Sequence, residues 1–183
     1  MKRTLIWAFV GLVAVVSQSH ATWEFNTDGD KEGWVSWHNI AKVEVVDGSL
    51  ILHVNADTND PYISGPTGPY DGDRITGLSM RMRWSIDALG MGGTSSYYFP
   101  ADGGHGSSPY EAPPPGEWHV VNIDYYEDVG GDRPVDWGGM INSVRIDLAD
   151  SAPEEYTVEI DWIRFRSDYI ENESFVWGDL WAW

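Results

Sequence analysis

Apolar and polar residues alternate with a period of two along much of this 183-residue chain. No segment sustains a helical period, and clusters of Gly, Pro, Asn and Asp separate the alternating runs. These observations predict an all-β fold, an antiparallel β-sandwich of the jelly-roll type. The chain has no cysteine, so an exported form needs a large core or a bound metal for stability. Core material is plentiful: apolar residues make up 42% of the chain and aromatics 14%, which excludes disorder for most of it.

The first segment, MKRTLIWAFVGLVAVVSQSHA, has basic Lys2 and Arg3, an apolar run from Thr4 to Val16, and small Ser19 and Ala21 at the −3 and −1 positions of a cleavage site. It reads as a secretory signal peptide over residues 1–21, with an uncleaved N-terminal anchor as the alternative. Without Lys2 and Arg3, 9 basic residues face 29 acidic ones, a net charge of −20. Such a surface disfavours nucleic acid and anionic lipid and favours divalent cations. The expected localisation is secreted (periplasmic, extracellular or cell-surface), with no membrane insertion of the mature chain.

Residues 22–167 are expected to form the β-sandwich domain. Its clearest strand is Leu78–Ile86, where Leu78, Met80, Met82, Trp84 and Ile86 alternate with Ser79, Arg81, Arg83 and Ser85. One face of that strand is dry. In 49–56, Leu50, Leu52 and Val54 point inward, and Asp47-Gly48 predicts a hairpin turn from 42–46. Segments 23–26, 34–40, 61–65, 95–99, 117–125, 142–149 and 155–165 follow as further strands. Gly/Pro-rich connections are expected at 66–74, 100–116 and 127–139. In the last strand Val158 and Ile160 share one phase while Ile163 and Phe165 take the other, which predicts a bulge near Asp161-Trp162. Residues 168–183 form an acidic, Trp-rich tail. It either packs on the sandwich, engages a protein partner, or frays.

The opening WEFN…DGD…GW and the closing YTVEIDWIRF resemble the first and last strands of galactose-binding-like jelly rolls, as found in carbohydrate-binding modules of secreted polysaccharide-degrading systems. DPYISGP (60–66), LSMRMRW (78–84), GEWHVVNID (116–124) and INSVRIDLAD (141–150) are similar to the same group. The resemblance covers about residues 23–166 and implies a non-catalytic domain that binds a polysaccharide or glycan. It also implies a structural calcium where the first and last strands meet. Carried over residue by residue, the ligands would be Asp161 at the end and, at the start, Glu24 with one or more of Asp28 and Asp30. Calcium takes six to eight hard oxygens, which Asp/Gly loops supply; the alternative is that these acids only solvate a loop. The loop is not an EF-hand, since Lys31 and Trp37 stand where its Gly and bidentate Glu belong.

For the ligand, Arg81 and Arg83 on one strand and Arg145 on another would converge if those strands shared a sheet, making a pocket for an acidic glycan. The competing reading is a ladder of Arg–carboxylate pairs across a solvated sheet. Trp37, Tyr62, Tyr98 and Trp137 lie in or beside loops and are the aromatic candidates. Trp34, Trp84, Trp118 and Trp162 follow strand patterns and are expected in the core. His38, His53, His105 and His119 have no metal-binding spacing. Two alternatives stay open. One is a cell-surface structural or assembly protein. The other is a small jelly-roll lyase or glycosidase, with Tyr97, Tyr98, His119 or Glu117 as acid–base groups.

Overall fold

The computed structural model describes residues 21–87, 91–125 and 137–167. The segment expected to be a signal peptide, up to residue 20, most of the expected connection 127–139, and the tail 168–183 lie outside them. Among the described residues there is no helix, and none long and apolar enough to cross a membrane. Fourteen strands form the body: β1 (Thr22–Trp23), β2 (Ser36–His38), β3 (Ile40–Val46), β4 (Ser49–Val54), β5 (Thr58–Asn59), β6 (Tyr62–Ser64), β7 (Tyr70–Asp71), β8 (Gly77–Trp84), β9 (Ser95–Pro100), β10 (Gly106–Pro109), β11 (His119–Asp124), β12 (Met140–Asp147), β13 (Ser151–Ala152) and β14 (Tyr156–Arg166).

Two six-stranded antiparallel sheets make the sandwich. One runs β11-β8-β14-β4-β3 with β1 also on β14; the other runs β10-β9-β12-β6-β2 with β7 also on β12. A short β13-β5 pair stands apart. Period-two alternation sends one side of each strand into the space between the sheets. Leu78, Met80, Met82 and Trp84 of β8 meet Ile63, Tyr98, Val144 and Ile146 there, all at most 2% exposed. Burial of each such large side chain contributes about 1.5–3 kcal/mol.

The Asp47-Gly48 hairpin joins β3 to β4, with φ of 51° and 76°, as a two-residue turn with both central residues left-handed requires. The bulge in β14 falls between Ile160 and Trp162. It has a clear cause. Before it β14 pairs with β4, up to Ile160↔Leu50; after it β14 pairs with β1, at Ile163↔Trp23. The extra residue, Asp161, sits where one neighbour ends and the other begins.

Some expectations are revised. The stretch 23–26 is a strand only through Trp23, because Phe25 takes a positive φ of 50°. The connection expected at 100–116 contains β10, which pairs with β9. Gly106 permits that pairing: a Cβ there would lie 2.3 Å from the Tyr98 ring.

Candidate functional site

Alternation in β9 buries Ser96 and Tyr98 and turns Tyr97 and Phe99 outward; in β12 it buries Val144 and Ile146 and turns Arg145 outward. Arg145 is directly opposite Tyr97 in register, and Asp147 is opposite Tyr62 of β6. The Arg145 guanidinium is therefore held between two rings, 4.1 Å from the centre of Tyr62 and 4.3 Å from that of Tyr97. His38 of β2 stacks on the far side of Tyr62 at 5.3 Å. His105 stands 5.7 Å from Tyr97 and 6.1 Å from Phe99. A row of planar groups thus crosses the outer face of the β9–β12 sheet. At ~4.8 Å per strand, the four strands from β2 to β9 span roughly 15 Å.

The row has an acidic root. Arg145 donates to Asp147 at 2.5 Å and lies 3.7 Å from Asp60. Asp147 shares the outward phase yet is only 5% exposed. Burial pushes its carboxyl up from 3.8 to about 7, against the opposing pull of Arg145. Asp147 Oδ1 and Arg145 Nε are buried with no partner. Because both faces of the guanidinium are covered and its charge is matched, Arg145 is a fixed strut with few open directions.

The other outer face, on the β8–β14 sheet, is a ladder of ion pairs. Arg83 donates to Glu159 at 2.6 Å, Arg81 donates to Asp161, and Arg164 makes a two-point contact with Glu24 at 2.8 and 2.9 Å. Trp118 lies over Arg81 and Arg83, and Trp162 over Arg164. The expected convergence of Arg81 and Arg83 with Arg145 does not occur, because β8 and β12 belong to different sheets on opposite sides of the core. The competing ladder reading describes Arg81 and Arg83. Their side chains are 40% and 36% exposed, so each pair contributes little to stability.

The four residues implied as calcium ligands do not fit a metal as arranged. Glu24 is taken by Arg164, and Asp161 by Arg81. Asp28 accepts from the Asp47 N–H at 3.0 Å, and Asp30 from the Glu32 N–H at 2.9 Å. Among the described residues no group of three or more His, Asp or Glu side chains is placed to hold an ion.

No protein-family model matches the chain, and no curated protein matches it. Solved structures do. A mutant family 29 carbohydrate-binding module complexed with mannohexaose superposes with a TM-score of 0.52 at 12% identity, over 82% of this chain and 93% of that one. A family 4 carbohydrate-binding module gives 0.53 at 13% identity, over 75% and 96%. An agarase gives 0.57 at 12% identity, over 82% of this chain and 25% of the agarase. The chain has the jelly-roll fold of carbohydrate-binding modules. At such identities the likeness is one of fold.

On that fold the aromatic candidates separate. Tyr62 belongs to the row. Trp37 is 42% exposed on the edge strand β2. Tyr98 and Trp137 are buried and pack edge-on at 4.9 Å, and Trp137 Nε1 donates to Ile75 O at 2.5 Å. Neither offers a surface to a ligand. Trp34 and Trp84 are in the core as expected, but Trp118 and Trp162 are only half-buried on the outer face. Among the acid–base candidates, Tyr97 and His119 stand on different sheets and Tyr98 is enclosed. Sequence reasoning passed over His38, Phe99, His105 and Asp147 as members of the row. The signal for Phe99 was present, since it shares the phase of Tyr97 and not that of Tyr98. Two clefts among the described residues lie elsewhere: one of about 440 Å³ beside His53, Ser85 and Thr157, and one of about 370 Å³ beside Glu111, Pro114 and Asn122.

Proposed function

We propose that this chain is a secreted, non-catalytic carbohydrate-binding domain whose glycan surface is the outer face of the β9–β12 sheet. The row His38–Tyr62–Arg145–Tyr97 carries the reading. Stacked rings and a clamped guanidinium lose little further freedom when a ligand arrives, so their contacts are not offset by ordering. Since the rings stack on one another and on the guanidinium, they present ring edges to the apolar parts of sugars, and phenol and imidazole groups to sugar hydroxyls. A row suits a chain of sugars better than a pocket does. Residues 1–21 support export, and the fold it shares with modules that include one bound to mannohexaose supports the ligand class. Protein partners of the tail remain part of the proposal only as an addition to this activity.

The test is affinity electrophoresis and calorimetry of the mature chain against a panel of soluble polysaccharides, with reducing ends and unsaturated products assayed in parallel. Binding without product release is expected. Tyr97→Ala should weaken binding by about 1.5–3 kcal/mol, the scale of burying one large side chain. Arg83→Ala, on the opposite face, should bind as the parent does. Equal losses in both variants would sink the assignment to this face, and product release would replace the module with an enzyme.

A further inference from the structure

Two of the residues implied as calcium ligands, Glu24 and Asp161, belong to the neighbouring first and last strands, and a guanidinium group holds each of them. We infer that this junction is built without a metal: Arg164 is its cation, and Glu32 is the anion that closes the turn leading away from it. Arg164 grips Glu24 through Nε and Nη2 at 2.8 and 2.9 Å, with Glu24 just past β1 and Arg164 on β14. Trp162 covers the guanidinium at 4.3 Å. The charge of Asp161 acts on the same guanidinium, and together with Glu24 it raises the arginine pKa. Glu24 from the first strand and Asp161 from the last are thus each held by an arginine, Arg164 and Arg81 respectively.

The charge is already balanced there. Glu24 and Asp161 contribute two negative charges, Arg164 and Arg81 two positive ones. A divalent ion entering this site would meet no net attraction and would have to displace a two-point guanidinium–carboxylate contact, among the strongest charged hydrogen-bond geometries. The rest of the acidic turn is engaged with backbone. The Glu32 carboxylate accepts from the N–H groups of Phe25 and Glu24 at 2.8 and 3.0 Å. These bonds hold Phe25 and Glu32 at positive φ, each near 50°, a conformation that side-chain-bearing residues adopt only under local constraint. The crowding of acids in 24–32 follows from this: they accept backbone N–H groups and one arginine.

Differential scanning calorimetry and calcium titration of the mature chain test the inference. The parent should melt at the same temperature in chelator and in excess calcium and should show no heat of calcium binding. A folded-state site filled a hundred-fold above its Kd would instead raise the Tm by roughly 5–10 °C, and that result in the parent would overturn the inference. Arg164→Met should lower the Tm and make it rise with calcium, because Glu24 then loses its two-point guanidinium partner and the junction keeps both carboxylates with one cation fewer. A folded Arg164→Met chain indifferent to calcium would refute the claim that Arg164 takes the metal's place. Glu24→Gln weakens the same contact from the other side with little change of shape. Its Tm should fall and stay calcium-independent; a Tm unchanged from the parent would show that the pair does not tie the ends together.

Discussion

Asp147→Asn should remove most of the pH dependence of stability between about pH 4 and pH 7. In the folded chain burial raises the Asp147 carboxyl to about 7, while the unfolded value is near 3.8. Within that window folding takes up a proton, so the native state is favoured by low pH and loses stability as pH rises, levelling off above about 7. At 1.36 kcal/mol per pH unit, the full span corresponds to about 4 kcal/mol. Glu44 works in the opposite sense, since Lys42 and His53 lower its pKa. Its contribution is lost only as pH falls below about 4.5, at the bottom edge of the window and below the range of the melts. Above pH 7.5 the asparagine variant avoids the buried charge. The raised value already includes the hydrogen bond from Arg145 to the ionised carboxylate, so the variant should exceed the parent there by up to about 4 kcal/mol. The groups facing Asp147 are Arg145, Asp60 and Tyr110, and all three persist in the variant. Urea melts of both proteins at half-unit steps from pH 4.5 to 8.5 measure the slope directly. A variant that keeps the parental slope would refute the reasoning, because the proton taken up would then belong to another group.

Two further outcomes test the core. Trp34 is 1% exposed and meets Trp23 edge-on at 5.4 Å, so Trp34→Ala should cost about 3–5 kcal/mol; a loss below about 1 kcal/mol in denaturant melts would contradict its place in the packing. Gly106→Ala puts a methyl group 2.3 Å from the Tyr98 ring and should cost about 1–3 kcal/mol, seen as a lower urea midpoint. An unchanged midpoint would mean that β10 does not lie against Tyr98 as described.

Local physics was legible along the chain. Alternation marked β8, β4, β12 and β14 and divided buried from outward residues, because a strand side chain has only two directions available. The Asp-Gly pair marked the hairpin, and the change of phase around Asp161 marked the bulge, each a property of a few consecutive residues. Alternation states which residues share a face but not which sheet a strand joins. Arg83 and Arg145 therefore read alike in sequence, and only strand order placed them on opposite sides of the core. The same limit hid the row, whose members come from β2, β6, β9, β12 and the turn after β9. It hid the clasp as well: Glu24 and Arg164 are 140 residues apart. An acidic turn attracts any cation, so sequence alone left the choice between calcium and arginine open. The tertiary structure placed an arginine there, because pairing β1 with β14 sets Thr22 opposite Arg164 and brings its guanidinium to Glu24.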